Sequence, residues 1–336
     1  MADEIGVRMN LHGWIPVRIA WTSAGPRVEW ILLGNERLLD PFFEQTLQRH
    51  MRHPFHHLFR RETSLEEMTE WTEANPGAPL KGIVYHMSRC GSTLLGRQFM
   101  ALDRNIVASE PTPLDDLLRL PLRLPDLARA TLIRWLRAMV AALAQPRNGE
   151  QAFYLKADCW HIHHIELLRE AFPDTPWIFL YRDPVEVMVS QARIPAAWTV
   201  PGLVHPAALQ MDWTDWDPAQ TDVYCARALA KICQGGLRAI KQVSGGLLVN
   251  YSELPEATHQ RLLSHFGLHE EDVPAMRAAS QHDAKSPAMP FAKDASAKQA
   301  EASDRIRSVV ATHLLPVYSE LETERLASIA AAPLAI

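Results

Sequence analysis

"YHMSRCGSTLL", residues 85 to 95, joins the end of an apolar strand to the start of a helix, with an arginine, a glycine and two hydroxyl residues at the joint. The strand ends near Met87, and Ser92 and Thr93 open the helix. Backbone N–H groups from Arg89 through Cys90 and Gly91 to Thr93 can therefore converge on a phosphate, and the helix dipole adds to their pull. Gly91 permits close approach of the backbone, and Arg89 offers a planar charged donor. "GSTLLG" carries the glycine spacing of a Walker loop, but Arg97 and Gln98 stand where lysine and serine or threonine belong, and Gly96 falls inside the helix. That excludes an ordinary nucleotide triphosphatase.

Outward from this loop, "GIVYHM", "NIVAS", "AFYLKA", "WIFLYR" and "GLLVNY" are short apolar runs, each followed by a helical stretch. The alternation predicts an α/β fold, a P-loop-like parallel β-sheet flanked by helices, with ligands bound beyond the carboxyl ends of the strands. Upstream, "IPVRIAWTSAGPRVEWILLG" (15 to 34) reads as a β-hairpin around "TSAGP". A helix around "PFFEQTLQRHMR" follows, then another opened by "TSLEEM", where Thr63 with Glu66 or Ser64 with Glu67 can form a capping box. "ANPGAP" (74 to 79) breaks the pattern, so the expected division is a hairpin and helical subdomain over 1–75 and an α/β domain over 76–336. Two long stretches, 193–218 and 280–299, are candidates for active-site covers.

With 336 residues, 47% of them apolar, the chain can bury a sizeable core. Cys90, Cys159, Cys225 and Cys233 form no C-x-x-C pair, so neither a disulfide framework nor a zinc site is expected, and a reducing cytoplasm fits best. A net charge of -5 argues against nucleic acid as a partner, and no apolar run is long enough to cross a bilayer. The composition leaves oligomeric state open.

"WIFLYRDPVEVMVS" ends a second strand at Arg182, turns at Asp183-Pro184 and places Ser190 two helical turns later. Together the two segments resemble the nucleotide signatures of the sulfotransferase family that uses 3'-phosphoadenosine 5'-phosphosulfate. The resemblance covers most of 80 to 330 and includes "LLVNYSEL", similar to that family's late strand. It implies that Arg89, Gly91, Ser92 and Thr93, with Cys90 in the same loop, hold the 5' side of the donor, and that Arg182 and Ser190 hold its 3'-phosphate. No metal is implied. Ser88 and Cys90 depart from the family's proline and serine, and the glycine-rich C-terminal segment of many members is missing. Lys285, Lys293 and Lys298 could take over its role, although a solvated loop is the plainer reading of each.

Sulfuryl transfer needs in-line alignment and neutralisation of charge on the leaving phosphate. It also needs a base for the acceptor, whether a small molecule, a glycan or a peptide. Glu110, just past "NIVAS", is the favoured general base, with helix capping as its plainer role. His161, His163 and His164 in "CWHIHH" are rivals. Lys156, ending an apolar strand, should point into the crevice, where it resembles the lysine many relatives place near the sulfuryl group; an ion pair with Asp158 or Glu110 is the alternative. Trp198, Trp213 and Trp216, interleaved with Asp212, Asp215 and Asp217, could form an acceptor lid. Two other classes stand beside this reading. A kinase-like phosphotransferase would need magnesium and γ-phosphate discrimination, and a non-catalytic nucleotide-responsive module would bind without turnover.

Overall fold

A computed structural model describes residues 10–23, 25–200, 202–215, 217, 219–282 and 294–331. Eight strands succeed one another: β1 (Trp14–Thr22), β2 (Gly25–Leu32), β3 (Arg61–Ser64), β4 (Leu80–His86), β5 (Asn105–Ser109), β6 (Ala152–Lys156), β7 (Trp177–Tyr181) and β8 (Gly246–Asn250). They form a three-stranded sheet, β1-β2-β3, and a five-stranded sheet in the order β5-β6-β4-β7-β8. All five apolar runs picked out in the sequence are strands of the larger sheet.

The chain divides into two compact units, 1–80 with 103–153, and 81–102 with 154–336. This division falls at 80/81, near the break read at 75/76, and the first unit also takes in 103–153. The cause is visible at "ANPGAP". Ala78 N–H donates to Ala144 O at 2.8 Å, and a Cβ on Gly77 would lie 2.5 Å from Ala141 O. The segment is therefore packed against the end of the Arg129–Leu143 helix rather than acting as a loose linker.

In the first unit the hairpin forms as read, with β1 antiparallel to β2 and β2 antiparallel to β3. Trp30 is fully buried on β2, and its indole N–H finds Thr63 Oγ1 at 3.0 Å, which lets a large ring enter the core without an orphaned donor. Of the two capping boxes the sequence allows, Ser64 with Glu67 forms, opening the Leu65–Ala74 helix.

In the second unit β4, β7 and β8 run parallel, with Val84 opposite Ile178 and Phe179 opposite Leu248. These strands are buried on both faces, which is why they read as continuous apolar runs instead of alternating ones. The 22-residue Thr221–Gln242 helix comes close to β7 at Gly236, where a Cβ would stand 2.6 Å from the Phe179 ring. All four cysteines are buried, and none is in a disulfide. Among the described residues no helix is long and apolar enough to cross a membrane.

Candidate phosphate-binding site

Parallel strands end on one edge, and two adjacent ones, β4 and β7, deliver the loop and the arginine singled out above. Between β4 and the Ser92–Met100 helix the backbone turns left-handed at Ser88 (φ 73°), Arg89 (φ 53°) and Gly91 (φ 89°). Left-handed conformation costs a non-glycine residue on the order of 1 kcal/mol or more, and it persists where surrounding bonds impose it. Here Ser88 N–H donates to His86 Nδ1 at 3.0 Å, and Gln191 Nε2 donates to Ser88 Oγ at 3.3 Å. Proline, the family residue at this position, cannot take the φ of Ser88.

Gly91 is required twice over, by its positive φ and because a Cβ would lie 2.6 Å from the Tyr251 ring. The Cys90 thiol turns inward, donating to Leu180 O at 3.2 Å, and burial pushes its pKa up to about 12. Only the main chain of Cys90 is therefore left for a ligand. The Ser92 and Thr93 hydroxyls make no hydrogen bond among the described residues, and both stand at the helix N-terminus, where an anion is favoured.

Arg89 is half-buried and, among the described residues, has no hydrogen bond or ion pair. Burial lowers its pKa, the Asp294 carboxylate opposes that, and the Arg182 charge adds to it. Arg89, Arg182 and Asp294 thus share one electrostatic neighbourhood.

Arg182 directly follows β7 and is 4% exposed. Its Nε contacts Glu186 Oε2 at 2.6 Å, one Nη contacts Asp294 Oδ1 at 2.6 Å, and the guanidinium lies 3.9 Å above the Tyr251 ring. Burial works against its charge, but the hydrogen bonds to Asp294 and Glu186 outweigh it, and its pKa is raised. Arg182 thus pairs with Glu186 in the first turn of the helix that follows, and Asp294 is added to that pair. Ser190 sits on the same helix as Glu186, with its hydroxyl donating to Glu186 O at 2.9 Å. Its acceptor lone pairs alone remain for a ligand. Asp294 also holds Lys298 Nζ at 2.7 Å, so Lys298 joins this group; Lys285 and Lys293 lie outside the described residues.

Lys156 ends β6 and is 1% exposed, and its positive charge helps lower the Cys90 thiol pKa against burial, which places the ammonium near the phosphate loop. Glu110 follows β5 in the first unit, with φ 56°. Pro111, the N-cap of the Thr112–Leu118 helix, stands between Glu110 and that helix and makes no side-chain cap hydrogen bond. Among the rival bases, His161 is fully buried and its Nδ1 accepts from Asp158 N–H at 3.3 Å. Burial, aided by the charges of His164, Arg238 and Lys231, drives His163 down to about 3, so it stays neutral. Both of its ring nitrogens are buried against the Gly235 side of the long helix. In the 193–218 stretch Trp198 is buried, Trp213 is exposed and edge-on to His205, and Trp216 lies outside the described residues.

Sequence reasoning missed Gln191, Tyr251 and Asp294 as parts of this site. Tyr251 had a signal, since it follows β8 as Arg182 follows β7. Its preceding residue, Asn250, is fixed by Glu253 (2.8 Å) and Glu322 (3.0 Å), which sets the ring beneath Arg182. Asp294 had none, being 112 residues from Arg182.

No curated protein sequence matches the chain. Among solved structures it is similar to a sulfotransferase, STF9, from Mycobacterium avium (14% identity, 74% of this chain and 80% of that one, TM-score 0.41). It is similar also to a sulfotransferase from Alicyclobacillus acidocaldarius (12% identity, 74% and 96%, TM-score 0.42) and to the sulfotransferase domain of the curacin biosynthetic pathway (14% identity, 77% and 99%, TM-score 0.41). Residues 83–272, more than half of the chain, match the model of the sulfotransferase family, and the chain belongs to that family.

Proposed function

We propose that the chain moves a sulfuryl group from 3'-phosphoadenosine 5'-phosphosulfate to an acceptor hydroxyl or amine, in the cytoplasm. The observation that carries this reading is Arg182, a buried guanidinium stacked on Tyr251 at the end of β7, next to the left-handed loop that ends β4. A donor with phosphates at both ends of its ribose matches two such turns on adjacent strands better than a triphosphate does. The loop fits the 5' side: the Ser92 and Thr93 hydroxyls have no partner among the described residues, and Gly91 leaves a cradle that a Cβ would fill.

When bound, the donor supplies an activated sulfuryl group. Arg89 and the loop N–H groups take up the negative charge that builds on the 5'-phosphate as its bond to sulfur breaks. Arg182 and Ser190 hold the 3'-phosphate, and Lys156 supports the sulfuryl oxygens. As the acceptor oxygen or nitrogen bonds to sulfur, its proton passes to Glu110.

Calorimetric titration with 3'-phosphoadenosine 5'-phosphate, adenosine 5'-phosphate and ATP tests the donor. The expected result is a preference for the first compound that Arg182→Ala abolishes. Equal binding of all three would defeat the proposal, and a magnesium-dependent preference for ATP would favour phosphotransfer. Glu110→Gln should lower turnover about 10²–10⁴-fold while leaving binding of the product nucleotide in place.

A further inference from the structure

Two carboxylates compete for one guanidinium at Arg182. Glu186 comes from the first turn of the helix that follows Arg182, four residues on, and its side chain is 9% exposed. Asp294 comes from 112 residues away and its side chain is 41% exposed. Glu186 is thus locked beside Arg182 by its own helix and by burial, whereas solvent reaches Asp294. Asp294 also does more than pair with Arg182. One of its oxygens takes Arg182 Nη at 2.6 Å and the other takes Lys298 Nζ at 2.7 Å, so it bridges two cations as a phosphate does. The ammonium of Lys298, 8% exposed, feels the charges of both Arg182 and Arg89.

The charge count points the same way. Among the described residues Arg89, Arg182 and Lys298 face Glu186 and Asp294, three cations against two carboxylates. With Asp294 in place the group carries a single net positive charge. A phosphate monoester of about −1.5 to −2 overmatches that charge, and it would have to share Arg182 with a carboxylate at hydrogen-bond distance. With Asp294 withdrawn the net charge is two, and both bridged donors are open to the phosphate.

We infer that Asp294 is a built-in stand-in for the donor's 3'-phosphate: it occupies Arg182 and Lys298 and has to leave them when that phosphate binds. The inference rests on the donor assignment made above. Its functional meaning is a limit on affinity. Sulfated donor and desulfated product carry the same 3'-phosphate, so a site that held this group without competition would retain its product. A carboxylate that returns to Arg182 weakens both complexes and speeds loss of the product nucleotide. Adenosine 5'-phosphate, which lacks the 3'-phosphate, does not contest Arg182 and leaves Asp294 where it is.

The test is a double-mutant cycle read by calorimetry on the full chain, with 3'-phosphoadenosine 5'-phosphate and adenosine 5'-phosphate as probes. Asp294→Asn keeps the side-chain size and removes the charge; it should tighten 3'-phosphoadenosine 5'-phosphate on the order of tenfold, the scale of a charged hydrogen bond. It should leave adenosine 5'-phosphate within about twofold, since only the 3'-phosphate competes. Asp294→Ala should act in the same direction. In the Arg182→Ala background, Asp294→Asn should tighten 3'-phosphoadenosine 5'-phosphate clearly less than in the wild type, because only Lys298 is then left for it to release. Unchanged or weakened product binding in both Asp294 variants, with wild-type preference for the 3'-phosphate intact, overturns the inference alone. Loss of that preference in the wild type overturns the donor reading beneath it.

Discussion

The turns that leave β4 and β7 occupy the same place in adjacent parallel strands, yet they prepare for an anion in opposite ways. The β4 turn uses its backbone: three left-handed residues, a glycine with no room for a Cβ and two hydroxyls at a helix N-terminus. Its arginine, Arg89, has no ion-pair partner among the described residues. The β7 turn uses side chains. Arg182 is buried, bonded to two carboxylates and stacked on Tyr251. A backbone site costs strain, which the surrounding hydrogen bonds hold in place; a buried charge needs counter-charges before it can be buried at all. On the reading proposed above, the open turn receives a ligand directly and the saturated one by exchange.

That contrast can be broken, most severely at the β4 turn. Gly91→Ala forces an L residue into positive φ and drives its Cβ toward Tyr251, so a loss of about 3 kcal/mol in unfolding free energy is expected, read as a lowered denaturation midpoint. Product-nucleotide binding should fall with it. A midpoint unchanged from wild type would mean that the loop has another conformation at no cost.

At the β7 turn, Arg182→Lys keeps the charge but removes the planar fork and the stacking face. Affinity for 3'-phosphoadenosine 5'-phosphate should drop on the order of 30-fold, about 2 kcal/mol, while affinity for adenosine 5'-phosphate stays near its wild-type value. An equal drop for both nucleotides would show Arg182 to be a general scaffold residue.

Gln191 joins the two turns' surroundings: it lies on the helix after β7, donates to Ser88 Oγ and accepts from Ala196 N–H at 3.0 Å. Gln191→Ala removes both bonds inside a buried pocket and should cost about 1–2 kcal/mol of stability, with faster amide exchange at Ala196 as its local signature. The smallest effect is expected at Cys90. Cys90→Ser retains a donor to Leu180 O, so nucleotide affinity should change less than about twofold. A larger change would place that side chain in contact with the ligand after all.

Much of this arrangement is legible in the chain itself. Apolar runs of five or six residues flanked by helical periodicity specify the sheet, and Ser64 with Glu67 or Asp183 ahead of Pro184 specify helix starts, because those signals act within a few residues. The positions of Arg89, Gly91 and Arg182 at strand ends follow from the same short-range pattern, and with them the family resemblance.

Tertiary structure alone decided the rest. It turned the Cys90 thiol into the core, made His163 a buried neutral ring and joined 103–153 to the first unit. It also brought Asp294 to Arg182 across 112 residues. Burial and counter-charge are properties of neighbours in space, and their energies depend on contacts that the sequence pattern does not encode within one helix or one strand. The sequence thus determined which residues stand at the ends of β4 and β7, and the folded chain determined which of them are exposed and which, like Arg182 with Asp294, are already paired.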